Sequence, residues 1–449
     1  MIICLLICLV PSAGMLIAPT LTSSENKKMT EFPSFTTEEG GFNREYFRQF
    51  ENFYNEHAAL RNQLIFTDAK IQADVFGVSN VSGVIKGTDG WLYYSSTLDD
   101  YLGNKLMSDR ELNNLAYNFA LIQDYLKANK ASFVLTIPAN KNTLYPDNMP
   151  YYDSYVVDAD HNMMMLVPYL RKYDVNYLDL YELFKFNDEV LYLKGDSHWN
   201  NKGALLAYNG IMARLKLDHN DYSGVDPVIR HDENGDLNKM LYSFYGPTED
   251  NYDYSLPGNY TYEAGDGDVE SSFIVTKGGT ENKTLLMFRD SFANTLIPFF
   301  SESFDTACYS KGLPNLLEKY VSEYRPTSVV IEKVERNIRE YLEDPPVMTA
   351  LETEAPQVYS VKNTASALNV EESTNDASYM RIEGTVDESL ISTDTKILVQ
   401  IGDTCYRPYQ TGTSGYVMYI PKTELDSGVR YQVFAVNNGK YVSVISEVR

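Results

Sequence analysis

At 449 residues, with 44% hydrophobic and 13% aromatic side chains, the chain can bury one large core and a smaller one, and global disorder is excluded. A formal charge of -24 repels nucleic acid and anionic lipid surfaces, which removes both as partners. Of the four cysteines, Cys4 and Cys8 sit in the apolar N-terminus, leaving only Cys308 and Cys405. That gives neither a disulfide framework nor a Cys/His spacing of the zinc-binding kind, so no metal and no cofactor is expected.

Met1 to Pro19 is apolar and uncharged, too short and too interrupted by Pro and Gly for a comfortable membrane helix, and without a basic n-region. Its expected role is an export signal or anchor, which predicts an extracellular or cell-surface location; residues 1–30 are read as this leader and its linker. Glu45 to Phe66 carries Tyr46, Phe47, Phe50, Phe53, Tyr54, Leu60 and Leu64 at helical spacing. Val81 to Tyr94 reads as a hairpin turning at Thr88-Asp89-Gly90.

From Ser108 onward helices and strands alternate. Asp109 to Lys130 is a long amphipathic helix, Ser132 to Ile137 a strand ending at Pro138-Ala139-Asn140-Lys141, Met163 to Tyr173 a helix and Val175 to Leu180 a strand. Asn201 to Leu217 is the next helix, and residues 218–283 dissolve into Gly, Asp, Tyr and Asn, an insertion of loops and hairpins. The rhythm resumes with the apolar run Leu285 to Phe288, an amphipathic segment Phe292 to Phe304, Leu313 to Tyr324, the strand Ser328 to Val334 and the helix Glu335 to Leu342. This alternation predicts an α/β domain over 31–350, a parallel sheet between two helical layers, with functional groups gathered at the carboxyl ends of its strands.

After Asp344-Pro345-Pro346 the helical signal ends, and short alternating runs predict a C-terminal β-sandwich over 356–449. Its Tyr406, Tyr409, Tyr416, Tyr419 and Tyr431 either stack on sugars, as in a carbohydrate-binding module, or fill the core.

Ser291 follows the Leu285 to Phe288 strand in a tight turn, where its own backbone N–H can stabilise an oxyanion, so Ser291 is the candidate nucleophile. On that stretch alone, Asp290 or Ser291 could equally be a helix cap. Among five histidines only His198 has a suggestive setting. Two residues apart in extended chain, Asp196 and His198 point the same way, so the carboxylate can hold one ring nitrogen and free the other. An Asx-type turn is the bland reading of the same segment. Together the three residues form a possible Ser-His-Asp triad. Asn140 and Lys141, at a strand end, and Trp199, beside His198, are candidate substrate-binding residues. Arg289 either touches substrate or pairs with Asp290.

Asp196-Ser197-His198-Trp199-Asn200 with Gly203-Ala204, and Phe288-Arg289-Asp290-Ser291-Phe292, resemble the two signature blocks of SGNH-hydrolase-like proteins of the alginate O-acetyltransferase type, especially the related DHHW family. Glu25-Asn26-Lys27, Phe32-Pro33, Ala59-Leu60-Arg61, Gly87 to Leu92, Pro138 to Lys141, Tyr145-Pro146 and Gly235-Asp236-Leu237 are similar to its recurring segments, in order, across roughly residues 25 to 343. Ser197 stands where the family name implies His, at an expected spacer position. The resemblance implies a three-layer α/β/α fold with Ser291 as nucleophile, His198 as base and Asp196 as its orienter. It further implies O-acetyl transfer to an extracellular polysaccharide, with acetyl supplied through a membrane-bound acyltransferase partner. A carbohydrate acetyl esterase with the same triad, and a non-catalytic glycan-binding or assembly protein, are the alternatives.

Overall fold

The computed structural model describes residues 10–20, 29–37, 40–149, 151–243, 246–355, 360–361, 367–425, 428–437 and 440–448. The start of the leader and the Glu25-Asn26-Lys27 segment lie outside them. Among the described residues no helix is long and apolar enough to cross a membrane.

The N-terminal segment forms two helices, α1 (Tyr46–His57) and α2 (Arg61–Phe76). The single helical pattern read from the sequence is broken at Leu60, which adopts φ 60°. The hairpin β1 (Val84–Lys86) and β2 (Leu92–Tyr94) follows as expected.

The alternating region is α3 (Asp109–Ala128), β3 (Ser132–Thr136), α4 (Asn162–Lys172), β4 (Tyr177–Leu178) and α5 (Asn201–Leu215). Ser108 and Glu111 close a reciprocal capping box at the start of α3. The insertion contributes a hairpin, β5 (Val228–Glu233) and β6 (Glu249–Asp253), with the short helix α6 (Asp236–Tyr242) between its strands. Then come β7 (Thr261–Ala264), β8 (Phe273–Lys277), β9 (Glu281–Arg289), α7 (Ile297–Ser303), β10 (Phe304–Lys311), α8 (Leu317–Tyr324) and β11 (Ser328–Glu332).

Seven of these strands form one sheet in the order β4-β3-β11-β9-β10-β8-β7. The five from β4 to β10 run parallel, while β8 and β7 are antiparallel, so the sheet is mixed where a purely parallel one was expected. β7 and β8 come from the insertion and pair with each other as a hairpin, which joins the parallel strands through β8 on β10. Side chains alternate across the sheet. Phe133, Leu135, Leu286, Phe288, Val329 and Ile331 pack with α3, α4 and α8, and Val134, Leu285, Met287 and Val330 pack with α5 and α7. Helices thus cover both faces, and the near-continuous apolar strands follow from burial on both sides.

Among the described residues C-terminal to Pro346 lie ten strands: β12 (Leu351–Thr353), β13 (Ser360–Val361), β14 (Ala367–Glu372), β15 (Tyr379–Thr385), β16 (Lys396–Ile401), β17 (Thr404–Arg407), β18 (Tyr409–Thr411), β19 (Gly415–Pro421), β20 (Arg430–Asn437) and β21 (Lys440–Val448). They form a six-stranded sheet, β12-β17-β16-β20-β21-β13, and a four-stranded one, β14-β15-β19-β18. Ile382, Tyr416, Met418 and Ile420 of the smaller sheet share a core with Ile397, Val399, Tyr431 and Val433 of the larger. The smaller sheet also packs against α3. Arg110 donates to the Thr395 and Thr413 carbonyls and to Gln410, and Asn118 exchanges hydrogen bonds with the Gln410 backbone. Cys308 and Cys405 are buried free thiols.

Candidate active site

Parallel pairing of β3, β11 and β9 brings their carboxyl ends to one edge, with Thr136 level with Glu332 and Ile331 level with Phe288. The chain leaves β9 at Arg289, and Ser291–Thr295 forms a 3-10 turn. The α-helix expected from Phe292 starts only at Ile297, because Pro298 in its first turn has no N–H to continue the preceding one. Asp290 shapes the turn: its carboxylate accepts the Phe292 N–H at 2.9 Å and the Val334 N–H at 2.8 Å, while its own N–H donates to Glu332 at 3.0 Å. Arg289 reaches Asp290 at its backbone carbonyl, at 3.3 Å.

His198 lies across the turn. Its Nε2 is 2.8 Å from the Ser291 Oγ, and its Nδ1 is 2.6 Å from Oδ1 of Asp196. The same Oδ1 accepts the His198 backbone N–H at 2.9 Å, the Asx geometry read from the sequence, so the turn and the oriented imidazole coexist. The Phe292 ring sits 4.7 Å from the imidazole, and Trp199 meets Phe292 edge-on at 5.2 Å. A cavity of about 460 Å³ opens over Ser291 and His198, walled on one side by Asp236 and Met240 of α6 and on the other by Tyr94, Arg336 and Asn337.

The Asp196 loop is held from several directions. Lys141 is buried and donates its Nζ hydrogens to the carbonyls of Leu193, Lys194 and Asp196 at 3.0, 2.8 and 2.5 Å. Burial pulls its ammonium down to about 8, against the opposing charges of Asp196, Asp236 and Glu249. The Glu249 carboxylate accepts the N–H groups of Lys194 and Gly195. Gly195 and Gly235 touch: a Cβ on Gly235 would lie 2.2 Å from the Gly195 carbonyl oxygen, so only glycine allows the two loops to approach. That approach carries Asp236 to the site. Its N–H donates to Asp196 Oδ2 at 2.8 Å, and its carboxylate accepts the Ser197 N–H at 2.7 Å and the Ser197 hydroxyl at 2.5 Å. Ser197, read as a spacer, is the link between the two loops. Lys141→Met would take the ammonium donor from the Leu193 and Asp196 carbonyls and leave the Lys194 carbonyl with the Leu92 N–H alone. A loss of about 2–4 kcal/mol is expected, read as a lowered denaturant midpoint at unchanged slope.

Electrostatics separate the three acidic and basic groups. Burial pushes the Asp196 carboxyl up, but the His198 hydrogen bond and charge, with the N–H groups of Asp236 and His198, outweigh it and hold the carboxyl well below the usual range. Burial pushes His198 down, yet the hydrogen bond and charge of Asp196 and the charges of Asp236 and Asp290 leave it raised above the ordinary 6.5. Asp236 is raised by burial and by the Asp196 charge. Asp196, His198 and Asp236 offer three ligand atoms within 4.8 Å of one another, but their hydrogen bonds to each other and to Ser197 already occupy them.

The other residues picked out from the sequence are spent internally. Asn140 is buried, giving its N–H to Glu335 and its amide to Asp100. Trp199 is buried and donates its indole N–H to Thr295 at 2.7 Å. Arg289 is buried and holds the Val269–Ser271 loop, Asn294 and the Asp290 carbonyl. With Lys141, these three brace the loops under the cavity and do not line it. Asp236, Arg336 and Asn337 do line it and escaped the sequence reading; the Gly235-Asp236-Leu237 block was the one available signal for Asp236.

Residues 84–264 match the family model described as SGNH hydrolase-like domain, acetyltransferase AlgX, in line with the resemblance carried by the sequence blocks. Solved structures similar to the chain include Bacillus cereus PatB1, at 18% identity and TM-score 0.44 over 57% of this chain and 96% of that one. A DHHW family protein from Eubacterium siraeum follows at 15% and 0.42, over 57% and 91%. Pseudomonas aeruginosa AlgX follows at 12% and 0.37, over 78% and 93%. No curated protein sequence matches the chain. The family model covers less than half of the chain.

Proposed function

We propose that the chain is a serine O-acyltransferase, a reading supported by the match of residues 84–264 to the model described as SGNH hydrolase-like domain, acetyltransferase AlgX. In this reading it moves an acetyl group onto a hydroxyl of a cell-surface or extracellular polysaccharide. The observation that supports it is the continuous hydrogen-bonded line from the Ser291 Oγ through His198 to Asp196. His198 Nε2 accepts the hydroxyl proton as Oγ attacks the acyl carbonyl, and the imidazolium, stabilised by Asp196, returns that proton to the leaving oxygen. The acyl-serine then passes its acyl group to the acceptor hydroxyl, whose proton His198 takes in turn. With water as acceptor the same steps amount to ester hydrolysis, so transferase and esterase differ in what reaches the acyl-enzyme first.

Export through the apolar N-terminus fits a polymer outside the cell, and the acetyl donor in this reading is a membrane-bound acyltransferase partner. We read the two C-terminal sheets as a β-sandwich beginning near residue 356, appended to an α/β domain over 31–350. Tyr416 and Tyr431 are in its core and Tyr409 and Tyr419 are buried against the α3 layer, so all four are packing residues and not sugar platforms.

The test is covalent. A serine-directed sulfonyl fluoride is expected to add one adduct, found by peptide mass spectrometry on the fragment containing Ser291 and abolished at pH values where His198 is protonated. Labelling distributed over other serines, or none, would overturn the assignment.

A further inference from the structure

Apart from His198, Arg336 is the one basic side chain lining the cavity over Ser291. Its guanidinium carbon lies 5.5 Å from the Tyr94 ring and 5.8 Å from the Phe292 ring, the same ring that backs the His198 imidazole. Two aromatic faces therefore hold a planar cation beside the nucleophile. Its polar contact is a long 3.4 Å hydrogen bond to Asn140 Oδ1. Among the described residues it makes no ion pair, although the chain has 62 acidic against 38 basic side chains, so that an acidic partner was available almost anywhere. Asp100 acts on it only across the Asn140 amide, which bonds to both, and Glu335 is engaged by the Asn140 N–H and the Thr143 hydroxyl. A guanidinium with no acid in hydrogen-bond reach keeps most of its five donors for a ligand.

We propose that Arg336 recognises an anionic group, a carboxylate or a phosphate, carried by the acceptor saccharide close to the hydroxyl served by Ser291. The proposal rests on the acyltransferase reading for the identity of that hydroxyl, and it predicts that the polymer is charged. In a protein of net charge -24, a cation confined to the cavity guides such a polymer to this place and away from the rest of the surface.

The experiment measures binding, so that it stands apart from turnover. The Ser291→Ala chain is titrated calorimetrically at low salt with three oligomers of matched length: an oligouronate, its carboxyl-reduced neutral counterpart, and an oligo(glycerol phosphate). One anionic oligomer is expected to bind at least about tenfold more tightly than the neutral one, and which of the two does so names the anion. That preference is expected to shrink to within about twofold in Arg336→Gln and to survive in part in Arg336→Lys. Arg336→Met, which keeps the packing on Tyr94 and Phe292, replaces Arg336→Gln if the latter does not fold. Equal affinity for all three oligomers, or a preference that persists without Arg336 in a folded protein, overturns the proposal. Loss of Ser291 labelling with the binding preference intact would instead count against the acyltransferase reading alone.

Discussion

Ser291→Ala is expected to lower kcat for a chromogenic acetyl ester by about a thousandfold or more, with KM changed little. The hydroxyl is held on the free nitrogen of His198, at 2.8 Å, and alanine removes it without disturbing the backbone that shapes the turn. Asp290 ties that turn to Phe292 and Val334, and Trp199 ties it to Thr295, all independently of the Ser291 side chain. An unchanged unfolding temperature is therefore expected beside the lost activity. Turnover that persists in the variant would mean that another residue, or simple acid–base hydrolysis, carries the chemistry.

Asp196→Asn is expected to cost about as much by a different route, on the order of a hundredfold to ten-thousandfold in kcat. An amide nitrogen facing Nδ1 donates where the carboxylate accepted, so the imidazole proton is driven to Nε2, the nitrogen that must receive the serine proton. The pH profile carries a second signature. In the proposed mechanism His198 works as a base only when neutral, and its pKa is raised, so kcat/KM in the wild type is expected to climb with pH through a midpoint above 6.5. Asp196 supplies much of that elevation against the opposing effect of burial, so removing its charge moves the acid limb toward lower pH. A variant with reduced kcat and an unmoved limb would contradict the coupling of these two side chains. The opposite exchange contributes to stability. The depressed carboxyl of Asp196 favours the folded state above its unfolded pKa, and that contribution is lost as pH falls through the folded value.

What could be read in advance was whatever depends on neighbours along the chain. The apolar run Leu285 to Phe288 halted by polar residues identified β9 and its turn, and the spacing of Asp196 and His198 was enough to orient one on the other. Contacts between loops remote in sequence were not legible. Nothing local tells that Gly195 and Gly235 will touch, and hence that Asp236 will stand beside Asp196. Position at a strand end also leaves direction open. Asn140, Lys141, Trp199 and Arg289 are all near the site, but buried carboxylates, carbonyls, a hydroxyl and an amide hold them, while Arg336, one residue past the buried Glu335, lines the cavity. The same ambiguity applied to the C-terminal tyrosines, whose period-two pattern fits a core as well as a sugar platform.

The contact between α3 and the smaller C-terminal sheet bears on how such a protein can be handled and how it works. Tyr379, Tyr409, Val417 and Tyr419 belong to the same apolar cluster as Leu115, Phe119 and Ile122 of α3, and Arg110 and Asn118 stitch the seam. The helix that backs the catalytic sheet is thus clothed by residues some three hundred positions away in the chain. Cutting at the apparent linker near residue 350 would strip that clothing and leave a wet, sticky flank on the layer beneath β3 and β11. Within one molecule, anything gripped by the C-terminal sheets stays at a set distance and angle from Ser291, as on a jig and not on a leash.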